Sequence, residues 1–105
     1  MNKIILFYVP VSNLQEAEKI SENLLKNKLI ACANVLAATS FYVWQNEFKN
    51  DSEFIMLIKT LEEQADKVSN EIEKLHSYST PCIGKTYLEV NTSYFNWVKE
   101  QINFI

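Results

Sequence analysis

"SFYVWQNEFKNDSEFIMLIKT", Ser40 to Thr60, is the stretch on which the fold turns. Two runs rich in aromatic and branched residues flank a short polar segment, which is the pattern of a β-hairpin. Asn46 marks the turn, because asparagine tolerates the left-handed backbone that tight turns demand. Asp51 and Ser52 read as loop or its far edge. Upstream, the first run reaches back to Ile30 without a Gly or Pro, giving a strand from Ile30 to Trp44. That is well beyond the common strand of about 5–6 residues. The return run, "EFIMLIKT", shows almost no alternation and so reads as a strand covered on both faces.

Working outward, Ile4 to Val9 is an apolar run of strand length that Pro10 is expected to end. Ser12 with Gln15 three residues on reads as a capping box. Leu14, Ala17, Ile20, Leu24 and Leu25 then repeat at helical spacing. Beyond the hairpin, Thr60 and Glu63 suggest a second box, and Ala65, Val68, Ile72 and Leu75 form a second amphipathic helix ending near His76. "TPCIGKTYLEV" supplies a fourth strand after Pro81. Asn91 or Thr92 opens a terminal helix through Tyr94, Phe95, Trp97, Val98 and Ile102. The order β-α-β-β-α-β-α reads as an α+β, ferredoxin-like sandwich with an extended β2-β3 hairpin and a C-terminal helix. Residues 1–105 are expected to form a single domain, since a chain this short builds one core.

Composition removes several functions. The formal net charge is −3 and there is no arginine, only ten lysines. Nucleic-acid binding is therefore not expected, because phosphate binding draws on clustered Lys and Arg. Phosphate or carboxylate chemistry lacks its bidentate fork. With one histidine, one glycine and no nucleophile beside an evident base, no catalytic residues are assigned and the chain reads as a non-enzyme. Cys32 and Cys82 lie far apart, so neither a CxxC pair nor a zinc ribbon is present. The start has a lysine before apolar residues but no small-residue cleavage site, and no run approaches the roughly 20 apolar residues of a membrane span. A soluble, cytoplasmic protein with no membrane partner is expected.

Candidate sites follow from chemistry. Cys32 and Cys82 offer soft thiolates suited to Cu(I) or zinc, and His76 a neutral nitrogen. Against this, free cysteine is commonly a small buried residue, and imidazolium is favoured at a helix C-terminus. Glu53, Lys59 and Tyr78 are candidates for a ligand pocket between subunits, or for an interface pair. Trp44 and Trp97 are candidates for stacking a ligand or anchoring an interface. The acidic trio Glu62, Glu63 and Asp66 complements the start of the second helix. Two helices cover one sheet face but not the distal hairpin, so Phe41, Tyr42, Val43, Trp44 and Phe48 are expected to lie in a contact between copies.

Several separated segments resemble the CutA divalent-cation tolerance family. They are Ala31-Cys32, Thr39-Ser40 before the aromatic residues and Trp44, Ser52-Glu53, Lys59-Thr60, His76-x-Tyr78-x-x-Pro81, and Asn91-x-x-Tyr94-x-x-Trp97. The resemblance implies a ferredoxin-like subunit in a tight homotrimer akin to PII signalling proteins, with hairpins packed between subunits. It implies tolerance of divalent metals, copper binding as in some members, a role in anchoring acetylcholinesterase in animal members, and no required cofactor. Two departures stand out. Gln45-Asn46-Glu47 replaces the family's Glu-Gly-Lys, and Pro81-Cys82 replaces its Pro-Glu. Any tight metal site is expected to join Cys82 of one copy to Cys32 of the next. The alternative is a PII-like sensor or adaptor that binds a small molecule or protein in the intersubunit clefts.

Overall fold

The computed structural model describes residues 2–102, so the expected domain span of 1–105 runs past them at both ends. Along the chain lie β1 (Lys3–Val11), α1 (Leu14–Lys26), β2 (Cys32–Trp44), β3 (Glu47–Thr60), a 3-10 turn (Glu62–Gln64), α2 (Ala65–Leu75), β4 (Gly84–Glu89) and α3 (Thr92–Ile102). The four strands form one sheet in the order β2-β3-β1-β4, with every neighbouring pair antiparallel. This is the ferredoxin-like α+β sandwich. None of the described helices is long and apolar enough to cross a membrane.

Alternation on β1 divides the interior. Ile5, Phe7, Val9 and Val11 point to one face, where with Met56 and Ile58 they meet Ala17, Ile20 and Leu24 of α1 and Ala65, Val68 and Ile72 of α2. Ile4 points to the opposite face and joins Ala31, Leu61, and Val98 and Ile102 of α3. The second face is thus covered only at one end. On β3, Met56, Ile58 and Thr60 are buried, whereas Ile55, Leu57 and Lys59 are half-buried. Cover on both faces, expected from the missing alternation, is only partial within one chain.

Several boundaries differ from the sequence reading: β2 opens at Cys32 rather than Ile30, and β4 at Gly84 rather than directly after Pro81. β1 does not stop at Pro10. The ladder to β4 ends with Gly84 opposite Tyr8, so no strand on that side asks Pro10 for an N–H. The cap of α1 is Asn13, not Ser12. Its extended backbone lets the side chain accept from Glu16 N–H at 2.8 Å, while Glu16 Oε1 reaches back to Ser12 N–H at 3.1 Å. Asp51 and Ser52 belong to β3, paired with Ser40 and Thr39. Thr60 is the last residue of β3 and caps nothing, because its hydroxyl donates to the Leu29 carbonyl at 2.6 Å.

Candidate functional site

The hairpin register follows from its turn. Gln45 and Asn46 both have positive φ, 52° and 66°, as a two-residue hairpin turn of the primed type requires. Ser40 then lies opposite Asp51, and Ala38 opposite Glu53. By alternation, Ser40, Tyr42 and Trp44 share a face with Asp51 and Glu53. On that face the Tyr42 hydroxyl donates to Asp51 and the Ser40 hydroxyl to Glu53.

A loop from beyond α2 completes the site. His76 ends α2 with its side chain buried, and Nε2 donates to the Pro10 carbonyl at 2.8 Å. Nδ1 accepts the Tyr78 N–H at 3.1 Å. A carbonyl only accepts and an amide N–H only donates, so these partners assign the neutral Nε2–H tautomer. The Glu16 carboxylate, 3.5 Å from Nδ1, is a contact rather than an ion pair. Glu16 also accepts the Ser77 N–H at 2.7 Å and the Ser77 hydroxyl at 3.0 Å. Burial pushes the Glu16 carboxyl up, but bonds from Ser77 and Ser12 outweigh it and hold it below its ordinary range.

So fixed, Tyr78 packs its ring against His76, centroids 4.7 Å apart, and donates its hydroxyl to Glu53 at 2.7 Å. Burial first, and then the Glu53 carboxylate, push the Tyr78 hydroxyl well above the usual phenol range, so it stays a donor. The hydrogen bond to Asp51 raises Tyr42 in the same direction. Between hairpin and loop lies a groove of about 530 Å³ lined by Tyr42, Trp44, Asp51, Glu53, Tyr78, Ser79 and Thr80.

The structure joins some expected residues and separates others. Glu53 and Tyr78 meet. Lys59 does not join them, because it lies opposite Cys32 on the ladder and places Nζ 5.4 Å from the Tyr94 ring centroid. Trp97 stacks on Tyr94 with centroids 5.6 Å apart, at the far end from Trp44. His76 spends both ring nitrogens on Pro10 and Tyr78, leaving none for a metal in this arrangement, and the expected imidazolium at the helix end is replaced by a neutral, buried ring. Neither cysteine is buried. Cys32 is half-buried on edge strand β2, and Cys82 is exposed in the loop before β4 at the opposite edge. Among the described residues of one chain, no three His, Cys, Asp or Glu side chains cluster closely enough to hold a metal ion.

Phe41 and Phe48 stack on the other face of the hairpin with centroids 6.1 Å apart. The sequence reading missed Ser40 and Asp51 as site members, yet placing the turn at Gln45-Asn46 puts both on the Glu53 face by counting. Glu16 carried no such signal. Its role depends on where the loop after α2 returns.

A sequence model described as "CutA1 divalent ion tolerance protein" matches residues 5–101. The divalent-cation tolerance protein CutA of Thermotoga maritima is 38% identical over 100 residues, covering 94% of this chain and 99% of that protein. The crystal structure of the divalent ion tolerance protein CutA1 from Ehrlichia chaffeensis superposes with a TM-score of 0.92 at 36% identity, covering 94% of each chain. The Archaeoglobus fulgidus protein, described as a periplasmic divalent cation tolerance protein CutA, gives 0.87 at 34% identity, covering 95% of this chain and 98% of that one. Strand order, spaced motifs and near full-length similarity agree, and the chain belongs to the CutA1 divalent ion tolerance family.

Proposed function

We propose that this chain acts as a homotrimer in the response to divalent metal ions, without catalytic chemistry of its own, and that its metal ligands come from more than one copy. The distal hairpin carries the reading. Phe41, Val43, Trp44 and Phe48 are 63%, 68%, 60% and 72% exposed, an apolar surface on both faces of one element. Such a surface marks an interface, and identical copies in closed symmetry supply the cover. A ring of three brings one edge of each subunit towards the other edge of its neighbour. Cys32 and Cys82 lie at opposite edges of the sheet, and the proposed site joins Cys82 of one copy to Cys32 of the next. Thiolates would favour Cu(I). Two unpaired thiols suit a reducing compartment such as the cytoplasm.

Native mass spectrometry of protein purified without chelator tests the assembly. The expected mass is three times the 12.2 kDa chain at micromolar concentration, and a monomer overturns the reading. Titration of the reduced protein with Cu(I) against a competing chelator tests the metal. Cys32→Ala and Cys82→Ala should each lower the affinity, and unchanged affinity in both removes the cysteines from any site.

A second reading, a PII-like sensor or adaptor, is favoured by the groove between Trp44, Glu53 and Tyr78. It predicts a saturable small-molecule or protein ligand whose binding Trp44→Ala weakens.

A further inference from the structure

We propose that His76 is a proton-operated latch on the loop between α2 and β4: with a second ring proton, Nδ1 releases the Tyr78 amide and turns to Glu16. The one histidine of the chain sits where α1, α2 and β1 converge. Its side chain is fully buried within a single chain, so contacts between copies neither cover nor uncover it further. Nε2 donates to the Pro10 carbonyl of β1 at 2.8 Å, and Nδ1 accepts the Tyr78 N–H at 3.1 Å. Glu16 Oε2, on α1, lies 3.5 Å from the same Nδ1. That oxygen takes the Ser77 N–H at 2.7 Å and, with two lone pairs, has room for a second donor. One ring nitrogen thus has two neighbours of opposite kind, a donor that it uses and an acceptor that it does not.

Imidazole is the side chain that ordinarily gains a proton between about pH 5 and 8. A proton on Nδ1 sets two N–H groups against each other at 3.1 Å, a contact that cannot persist. The Pro10 bond survives, because Nε2 donates in both states. Of the charges around the ring, Glu16 is the one that stands at the right nitrogen. Glu53 of β3 faces the ring across Tyr78, whose hydroxyl it accepts at 2.7 Å. On the last turn of α2, Glu73 and Lys74 are exposed, and Lys74 pairs with Glu71 at 3.2 Å. β1 presents the Pro10 carbonyl, and the carbonyls ending α2 favour a cation at the same place. The exchange changes what holds the loop. Ser77 keeps both bonds to Glu16, and the Tyr78 hydroxyl keeps Glu53, but the amide between these anchors loses its acceptor. The loop is loosened at the residue that ties it to the hairpin.

Nitrogen-15 NMR of the intact protein from pH 8 to pH 5 tests this, with one histidine to give an unambiguous ring signal and native mass recorded at each pH. At pH 8 the ring should show a bare Nδ1 and a protonated Nε2. As Nδ1 gains its proton, exchange of the Tyr78 amide, corrected for its intrinsic pH dependence, should speed up in step by about tenfold, the loss of one hydrogen bond. His76→Asn keeps an acceptor near the Nδ1 position but takes no proton, and should hold the Tyr78 amide protected across the range. Glu16→Gln removes the charged acceptor and should move the transition to lower pH by about one unit. A ring that gains its proton while the Tyr78 amide stays protected overturns the latch, as does a ring that is neutral down to pH 5. An unshifted transition in Glu16→Gln overturns Glu16 as the new partner. The same amide response in His76→Asn, or one that appears only as the native mass falls, assigns the change to other groups or to dissociation of copies and overturns the proposal too.

Discussion

At one end of β3, Met56 and Ile58 are fully buried between sheet and helices; at the other end of the same strand, Phe48 is 72% exposed. A polar run, Lys49 to Glu53, separates these two apolar ends, and what differs between the ends is their cover. Near the helices, an apolar residue has neighbours inside the chain and stabilises the fold on its own. On the distal hairpin, β2 and β3 have only each other, and a two-stranded ribbon without a packed face is marginal in water. Identical apolar chemistry thus does two jobs. It closes a core where helices exist to close it, and it waits for a second surface where they do not.

Substitutions at the two ends separate these jobs. Phe7→Ala removes a fully buried ring from the helix-covered core. It should cost about 3–5 kcal/mol of stability, read from the urea midpoint, because both transfer and cavity terms apply. A loss below about 1 kcal/mol would mean that the core closes over the gap. Trp44→Glu should leave a single chain's fold close to unchanged, since surface substitutions usually fall within about 0.5 kcal/mol. Assembly should weaken by about 2 kcal/mol or more per contact, as a charge enters a dehydrated interface without a partner. Native mass at matched concentrations measures it, and a wild-type oligomer profile would show that Trp44 lies outside the contact.

The same contrast explains what was legible beforehand. Apolar periodicity recorded the core directly, so Ile20, Leu24, Val68 and Ile72 fall on the buried helix faces that their spacing implied. Hairpin and strand order were legible because the turn residues and aromatic runs are local signals. What the sequence obscured were competitions between local and distant partners. Ser12 and Asn13 are both good caps, and only the geometry shows that Ser12 is held by Glu16 instead. Thr60 looks like a cap until Leu29, distant in sequence, takes its hydroxyl. Lys59 and Glu53 lie on one strand, yet Lys59 turns to Tyr94 on α3. Candidate ligands were recognisable by type; which of them meet depended on long-range returns of the chain.

A third way to sharpen the comparison lies at the junction of the two regions, where Glu16 on helix-covered α1 holds the loop that carries Tyr78 to the hairpin. Its folded pKa is lowered from the ordinary 4.5 because four hydrogen bonds from Ser77 and Ser12 outweigh burial. A lowered carboxyl stabilises the fold above its ordinary range, and that contribution is lost as pH falls through the folded value. Glu16→Gln should therefore cost about 1.5 kcal/mol at pH 7, a typical loss for hydrogen bonds to a charged acceptor. The gap from wild type should narrow as pH falls below 4.5. Urea midpoints across acidic pH measure it. A gap that stays constant would mean that Glu16 acts through its shape alone.

The smallest effect is expected at the tip, where the hairpin depends on local chemistry alone. Gln45 and Asn46 both occupy the left-handed region, with φ of 52° and 66°. Asparagine accepts that conformation readily; glutamine carries a longer side chain without the short local hydrogen bond that makes it cheap, at a cost of about 1 kcal/mol. Gln45→Asn should recover part of this, about 0.5 kcal/mol, by favouring the turn that sets the register. Because the tip is far from the core, the gain should appear in local opening rather than in the global transition. Hydrogen exchange at the tip residues Val43 and Phe48 should slow by about twofold, while the urea midpoint barely moves. Slowed exchange throughout the sheet would show that the hairpin unfolds together with the core, and would erase the distinction between the two regions.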